Sequence, residues 1–497
     1  MPEDASVNIG ALLERPWAAH ERVLGIQAKL HRWAAADSGR RFDDLFNLVA
    51  DPAFLVTAWA RVRENKGAKT AGIDGASAWS IENSERGLTG FLTELRKSLR
   101  DRTFHPVPVR TVMIPKAGGK RRRLGIPTVR DRVVQASLKL VLEPILEADF
   151  DPCSYGFRPE RRCQDAIEEI RFYAARGYEH VFEGDIAACF DEIDHSALMG
   201  RLRRRVDDRR ILLLVKAFLK AGLLDETKNL RDTSTGTPQG GILSPLLANL
   251  ALSVLDEHFR NRWQAMGTQT QRWRATQRGA ATYRLIRYAD DFVVMVFGTR
   301  QHAEDLYGEI ESVVDQIGLR LAPEKTRVVG IDEGFDFLGF RIQRHQQKGS
   351  DRQLIYTYPS RTSLATIRRK VTTATGRQNT SLSAAHLFRH LGQVTRGWAL
   401  YFRHGSSSRA FGALHHHLWW RVWRWLRRKH PNRNAKWIVH HYYGPGRWWP
   451  TAEGIRLFQP ATVKIERYRF RGTKIPNPWQ LHTQKTESAA LVESPVR

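Results

Sequence analysis

The sequence predicts an α/β fold, because short apolar strands that end in carboxylates lie among long stretches of helical periodicity. Residues 285–297 place apolar side chains on both sides of Asp290 and Asp291, which indicates two strands joined by a tight turn. Asp185 follows the apolar pair Val181 and Phe182, so it lies at the end of another strand. We therefore expect Asp185 to face the same kind of site as Asp290 and Asp291.

The chemistry of adjacent carboxylates suggests a metal site. Neighbouring negative charges raise each other's pKa, so a pair of aspartates is costly unless a cation lies beside it. Oxygen ligands at this density suit Mg²⁺. The alternative is that Asp290 and Asp291 serve only the turn, where Asp is common. Asp185 favours the metal site, because three carboxylates can hold two Mg²⁺ ions that activate a 3′-hydroxyl and stabilise a leaving pyrophosphate.

The composition indicates a polyanionic partner. The 497 residues include 79 Lys and Arg against 52 Asp and Glu, a net charge of +27, and 15 Trp offer surfaces on which bases can stack. We find no apolar span long enough for a bilayer and no signal-peptide pattern, so we expect no membrane association. Three cysteines without paired spacing argue against disulfides and zinc modules and suit a reducing cytoplasm.

The first third of the chain alternates helical segments with basic loops. Helical periodicity covers 15–36 and 42–62, and a glycine-rich segment at 65–75 then interrupts it. Residues 112–127 indicate a strand, a basic glycine turn and a second strand. This hairpin can fold over an incoming triphosphate, although a basic hairpin that faces only solvent fits the same pattern.

The middle of the chain predicts helices around the carboxylate strands, over 131–150, 162–174 and 194–206. Asp194 is better explained as the N-cap of the last of these helices than as a ligand, and His195 as a structural residue. A glycine-rich loop at 236–241 leads into another helix. We assign no role to the polar segment 257–283.

The last third predicts basic helices over 362–375, 382–403 and 411–430. Helical spacing puts Trp419, Trp423 and Leu426 on one face, which we interpret as a core face. The arginines on the opposite face can follow RNA phosphates. Three consecutive histidines at 415–417 point in different directions on a helix, which argues against a metal site. Residues from about 480 onward are polar, and we expect them to be disordered.

The order of motifs resembles that of a bacterial group II intron-encoded reverse transcriptase and maturase, over residues 20–475. The resemblance implies a right-hand polymerase with α/β fingers and palm, an α-helical thumb (the maturase domain) and a small basic C-terminal region. It divides the chain into a helical RNA-binding extension (1–85), fingers and palm (86–345), thumb (346–432) and a DNA-binding region with a disordered tail (433–497). The motifs that carry it are Ser154–Pro159, Asp185–His195, Gly236–Pro245, Tyr288–Asp291 and Arg396–Phe402.

The resemblance also implies roles for single residues. Asp185, Asp290 and Asp291 are the implied catalytic residues and, with Ile186, the implied ligands of two Mg²⁺ ions. The implied dNTP-binding residues are Lys116, Arg122, Phe190, Gln239 and Lys325, with Arg121 and Arg123 leaving the choice of arginine open. The expected RNA-binding residues are Lys66, Arg158, Arg396, Arg424, Arg427 and Arg428.

The function implied by the resemblance is RNA-directed DNA synthesis together with binding of a group II intron RNA during splicing and retrohoming. The expected partners are intron RNA, template RNA, primer or target DNA and dNTPs, in a bacterial cytoplasm beside the nucleoid. No cysteine follows Cys189, so we expect a member without the C-terminal HNH endonuclease. Two alternatives stay open: a maturase that only assists splicing, and a reverse transcriptase of a defence or CRISPR-associated system.

Overall fold

The strands and helices of the chain form the fingers, palm and thumb that the resemblance leads us to expect. The computed structural model describes residues 8–115, 121–225, 229–231, 233–238, 240–444 and 448–482. The strands are β1 (Val109–Pro115), β2 (Arg121–Ile126), β3 (His180–Asp185), β4 (Leu223–Leu224), β5 (Leu230–Arg231), β6 (Thr282–Tyr288), β7 (Asp291–Phe297), β8 (Arg327–Gly330), β9 (Phe335–Phe337), β10 (Phe340–Gln346), β11 (Gln353–Pro359), β12 (Thr451–Ala452) and β13 (Ile455–Arg456).

Helices surround these strands and contain more residues than the strands do. They are α1 (Ile9–Glu14), α2 (Pro16–Ala36), α3 (Phe46–Val49), α4 (Pro52–Glu64), α5 (Ala78–Glu82), α6 (Gly87–Arg100), α7 (Val129–Glu147), α8 (Cys163–Ala174), α9 (Cys189–Glu192), α10 (His195–Arg203), α11 (Arg209–Leu219), α12 (Ser244–Ala265), α13 (Gln269–Gln277), α14 (Arg300–Glu304), α15 (Leu306–Asp315), α16 (Arg361–Ala374), α17 (Ala384–Phe402), α18 (Ser408–Lys429) and α19 (Ala435–Ile438). No helix of the described chain is both long and apolar enough to cross a bilayer.

The N-terminal helices pack on the fingers. Helices α2 and α4 each begin at a proline. Proline fits the first helical position because an amide hydrogen there would have no acceptor within the helix. Both helices pack against α7. The helix predicted over 42–62 is divided into α3 and α4, because Asp51 caps α4 just before Pro52. The fingers hairpin forms as predicted, with β1 antiparallel to β2.

The palm is an antiparallel sheet in the order β6-β7-β3-β8. Successive residues of β7 pack into different hydrophobic clusters: Val294 belongs to the cluster of the N-terminal helices, and Val293 and Met295 to the cluster beneath the thumb. The sheet is therefore covered on both faces. This explains why β7 appears in the sequence as a continuous apolar run instead of an alternating pattern.

The thumb consists of α16, α17 and α18, and its core differs from the prediction. Leu426 is buried as expected, but the fully buried tryptophan of α18 is Trp425. Trp419 and Trp423 are only partly buried, stack on each other and contact Tyr443 of the C-terminal region. The stripe they form lies beside the core face of α18, and the C-terminal region covers it.

A C-terminal strap, defined here as residues 463–480, runs back from the thumb over the palm to the N-terminal helices. Phe470 stacks on Phe172 of α8 with ring centroids 4.4 Å apart, and Arg471 forms an ion pair with Asp165 at 2.7 Å. Farther along, Trp479 stacks on His31 of α2. Of the tail predicted to be disordered from about residue 480, residues 480–482 are helical, and residues 483–497 lie outside the described residues.

Replacing Trp425 by Ala should lower the midpoint of urea unfolding of the thumb, because truncating a fully buried aromatic costs about 3–5 kcal/mol. Trp448, which is 86% exposed, supplies the matched control, and Trp448→Ala should change the midpoint little. Unfolding followed by tryptophan fluorescence and circular dichroism checks both variants. Equal midpoints for the two would contradict the assignment of Trp425 to the thumb core.

Candidate active site

The three predicted carboxylates meet at one end of the palm sheet. Asp185, the last residue of β3, pairs in register with Asp291, the first residue of β7. Ala289 and Asp290 form the two-residue loop between β6 and β7, and Ala289 has a positive φ of 59°. A positive φ at the first loop position is the pattern of a type II′ hairpin turn, which follows the twist of the strands. The predicted turn and strand end are thus confirmed.

The turn is held from below by Arg287, whose side chain is fully buried. Its Nε donates to Asp256 Oδ1 at 2.8 Å, and its Nη1 donates to Asn249 Oδ1 and to the Ala289 carbonyl, each at 3.0 Å. Asn249 and Asp256 lie seven residues apart on one face of α12. The arginine thus joins α12 to the backbone of the loop that carries Asp290.

The Ser154–Pro159 motif packs directly against the same turn. The Tyr155 amide donates to the Arg287 carbonyl at 2.8 Å, and Asn249 Nδ2 donates to the Gly156 carbonyl at 2.8 Å. A Cβ at Gly156 would lie 2.3 Å from the amide nitrogen of Ala289, closer than any side chain can approach. Gly156 is therefore required for this contact between the motif and the turn.

Arg158 requires a correction, because the prediction that it binds RNA is contradicted by its burial. Its side chain is only 2% exposed. The guanidinium forms a bidentate bond with the buried Glu147 and donates to the carbonyls of Asp151 and Ser154. All of these acceptors lie inside the fold, so Arg158 stabilises the motif from within and has no surface to offer a phosphate.

Lys325 lies beside the carboxylates. Its Nζ donates to Asp185 Oδ2, and this hydrogen bond raises the pKa of Lys325. The segment that carries the lysine is fixed to the end of β3, because the Ala322 amide donates to the Asp185 carbonyl and the Ala187 amide to the Arg320 carbonyl. The lysine ammonium therefore balances part of the negative charge of the cluster.

The residue types at this site fit a hard divalent cation, since Asp185, Asp290 and Asp291 all offer carboxylate oxygens. In the described part of the chain, no group of three or more His, Cys, Asp or Glu side chains is gathered closely enough to hold an ion.

Comparison with known proteins identifies the family. Residues 114–342 match the family described as reverse transcriptase (RNA-dependent DNA polymerase), and residues 364–443 match the group II intron maturase-specific domain. Protein YkfC of Escherichia coli strain K12 is 36% identical over 354 residues, which are 67% of this chain and 92% of that protein. The chain belongs to the group II intron reverse transcriptases and maturases.

Other relatives share parts of the chain. The group II intron-encoded protein LtrA of Lactococcus lactis subsp. cremoris is 31% identical over 352 residues, which are 61% of this chain and 57% of LtrA. A solved structure of telomerase from Candida albicans has a TM-score of 0.37 and 12% identity, covering 70% of this chain and 67% of that one. The domain boundaries assigned from the sequence stay predictions.

Two of the predicted nucleotide residues of this reverse transcriptase, Phe190 and Arg122, lie in or close to α9. Phe190 is partly buried, and its ring meets the exposed Phe157 edge-on at 6.5 Å. Arg122 and Arg123 of β2 lie close enough to Asp191 to lower its pKa, although burial has the larger effect and raises that pKa overall. Arg121, Arg122 and Arg123 are all exposed, so the choice among them stays open. Lys116 and Gln239 lie outside the described residues.

The loop that leads to Gln239 is fixed against α9 by close backbone contacts. The Thr237 amide donates to the Phe190 carbonyl at 2.6 Å, and the Gly236 amide to the Ile193 carbonyl at 2.8 Å. Gly236 has a φ of 81°, and a Cβ there would lie 2.5 Å from the Asp191 carbonyl oxygen. The glycine-rich loop thus lies directly beside Phe190.

The remaining predicted RNA-binding residues differ in exposure. Lys66, Arg396, Arg424 and Arg427 are exposed, which leaves their predicted role open. Arg428 is partly buried and donates to the Thr375 carbonyl at 2.6 Å, so part of its guanidinium supports α16.

Sequence reasoning missed the roles of Arg287, Asn249 and Asp256. A usable signal was present, since Arg287 directly follows the apolar pair Leu285 and Ile286 in β6. Asn249 and Asp256 likewise interrupt the apolar face of α12 at a spacing of seven residues, which is two helical turns. Buried polar residues need partners, so three of them in neighbouring elements indicate a shared network.

Replacing Arg287 by Met should destabilise the palm by about 3–5 kcal/mol, because Asp256 would stay buried without its cation. Asn249→Ala keeps the ion pair but removes the hydrogen bonds of Asn249 to Arg287 and to the Gly156 carbonyl. This variant should still fold, but it should extend a primer more slowly than the wild-type protein. Thermal unfolding and primer extension measure both effects, with exposed Arg278→Met as the control. Wild-type extension rates in both folded variants would show that the network does not position the turn.

Proposed function

We propose that the protein copies RNA into DNA at the Asp185, Asp290 and Asp291 site with two Mg²⁺ ions, and that it binds a group II intron RNA to assist splicing and retrohoming. The observation that carries the proposal is the register of Asp185 with Asp291, beside a turn fixed by buried hydrogen bonds. Family membership supplies the reaction class, RNA-dependent DNA synthesis. All three cysteines are free thiols, which suits action in the bacterial cytoplasm.

The carboxylates and Lys325 prepare the site for a nucleotide. Asp185, Asp290 and Asp291 would hold the metal ions, with Ile186 contributing from the end of β3. When bound, the ions would activate the primer 3′-hydroxyl and neutralise negative charge on the triphosphate. Lys325 leaves Asp185 and binds a phosphate oxygen of the incoming nucleotide instead. This exchange is feasible because both partners are anionic and because the Lys325 side chain is half exposed.

The fingers and α9 bind and select the nucleotide. Arg122, on the strand of the fingers hairpin opposite Ile114, would bind phosphate together with Lys116. Phe190 would lie under the sugar, where its ring leaves no room for a 2′-hydroxyl. Gln239 would contact the sugar and base from the loop that packs against Phe190.

RNA binding is assigned to exposed cations of the N-terminal extension and the thumb. Lys66 lies beside a cavity formed with residues 124–127 of the fingers, and Arg424 lines a groove between α16 and α18. The match to the maturase-specific domain covers this thumb and supports an intron RNA over the RNA of a defence system. The three carboxylates and Lys325 support DNA synthesis over a role in splicing alone.

Asp185→Asn and Asp290→Asn should each abolish primer extension on an RNA template while RNA affinity stays near wild type. The carboxylates bind metal, whereas RNA affinity comes from a distributed positive surface. Primer extension and filter binding on the same preparations measure the two properties. Glu324→Gln removes an equal charge from an exposed neighbouring residue and should keep activity. Full extension by Asp185→Asn would overturn the assignment.

Phe190→Val should raise incorporation of ribonucleotides and keep that of deoxynucleotides measurable, because the smaller side chain admits a 2′-hydroxyl. Phe182 is fully buried and serves as the core control: Phe182→Val should lower stability and both activities together. Single-nucleotide incorporation with both sugars, alongside thermal unfolding, separates the two behaviours. Wild-type discrimination in a folded Phe190→Val protein would refute the role of Phe190.

A further inference from the structure

A polar cavity of about 540 Å³ lies between α10, α11 and the loop that precedes Gly236. Arg203 reaches it from α10, Lys216 and Lys220 from α11, and Thr233 and Ser234 from the loop. None of the residues assigned above to metal, nucleotide or RNA lines it. Its volume falls in the range of ligand sites, but its lining lacks the apolar character typical of sites for small organic molecules.

The charges around this cavity favour an anion. Arg203, Lys216 and Lys220 are exposed and form no ion pair with any described acidic residue, whereas Arg201, Arg204 and Arg210 nearby are all paired. Lys216 and Lys220 are four residues apart, so they project from the same side of the chain. Asp194 is the one acidic residue of the described lining, and its Oδ1 accepts the Ala197 amide at 2.7 Å as the cap of α10.

The floor of the cavity is polar and connected to the active site. His195 is buried, and its Nε2 lies 2.7 Å from the Gly236 carbonyl, so this nitrogen carries the hydrogen. Its Nδ1 is buried with no hydrogen-bond partner in the described part of the chain. Thr233 and Ser234 belong to the same loop as Gly236, which packs against α9 beside Phe190.

We propose that this cavity, here called the α10–α11 groove, binds the phosphodiester backbone of a nucleic acid strand outside the polymerase site. The proposal rests on the proposed function, which brings RNA and DNA to this protein. Three cations on a concave surface can pair with phosphates, and the Ser234 hydroxyl can donate to a phosphate oxygen, whereas the Thr233 hydroxyl already donates to the Leu219 carbonyl at 2.7 Å. Such contacts carry no base information, so the groove adds affinity without sequence preference.

The test compares two triple variants with the same change of charge. Arg203→Gln, Lys216→Gln and Lys220→Gln together remove the cations of the α10–α11 groove. Lys97→Gln, Arg100→Gln and Arg278→Gln together remove three exposed cations elsewhere and form the control. Fluorescence anisotropy of labelled single-stranded RNA and DNA oligonucleotides of one sequence gives affinity across a series of KCl concentrations, and thermal unfolding verifies folding.

The groove variant should bind at least about tenfold more weakly at low salt, and its slope of log affinity against log salt should fall by about 2, since each single-strand phosphate contact contributes about 0.7. Weaker binding of both oligonucleotides supports the proposal, and weaker binding of the RNA oligonucleotide alone supports it with RNA as the ligand. Restoring the charges as Arg203→Lys, Lys216→Arg and Lys220→Arg should restore the slope. Slopes equal to the control would overturn the proposal.

Primer extension separates the groove from the nucleotide site. The groove variant should keep the wild-type KM for dNTPs on a short primer-template, because its residues lie outside that site. A raised KM with unchanged oligonucleotide affinity would assign the groove to free triphosphate and overturn the proposal. Failure of the wild-type protein to extend any primer would instead refute the proposed function, and the comparison of oligonucleotide affinities would stand independently of it.

Discussion

The buried ion pair of Arg287 with Asp256 is the interaction on which the catalytic turn depends. Both side chains are almost completely removed from water, and such pairs gain little net stability because each ion loses its hydration. Their value here is geometric. The guanidinium has fixed donor directions, and one of them is used by the Ala289 carbonyl in the loop itself. The position of Asp290 is therefore set from inside the palm.

The same logic explains how a cluster of carboxylates is tolerated at the end of an apolar sheet. Arg287 lies beneath the turn and Lys325 beside it, so positive charge approaches from two directions. The two cations differ in mobility. Arg287 is enclosed by its partners, whereas the Lys325 side chain is half exposed and can move without disturbing the fold. Arg287 therefore holds the turn in place, whereas Lys325 can exchange Asp185 for another anionic partner.

The strands, the turn and most helices could be predicted because apolar periodicity and caps are local properties of the chain. Asp194 is the N-cap that the sequence indicated, with its carboxylate on the Ala197 amide. Burial is not a local property, which is why Arg158 was wrongly assigned to RNA binding. The motif identifies Arg158 in the sequence, but it does not reveal that the Glu147 carboxylate binds its guanidinium inside the fold. Trp423, which was predicted for the core face of α18, is only partly buried, and Trp425 is fully buried instead, since only tertiary packing decides which stripe of α18 is core and which meets Tyr443.

The C-terminal strap changes how the hand can move. In an open right hand, the thumb is joined to the palm by one covalent connection and swings about it. Here the chain leaves the thumb, crosses α8 through Phe470 and Arg471, and ends with Trp479 against His31 of α2. Palm, thumb and N-terminal helices thereby form a closed circuit. A swing of the thumb away from the N-terminal helices is therefore resisted by the contacts of Phe470, Arg471 and Trp479 along this circuit.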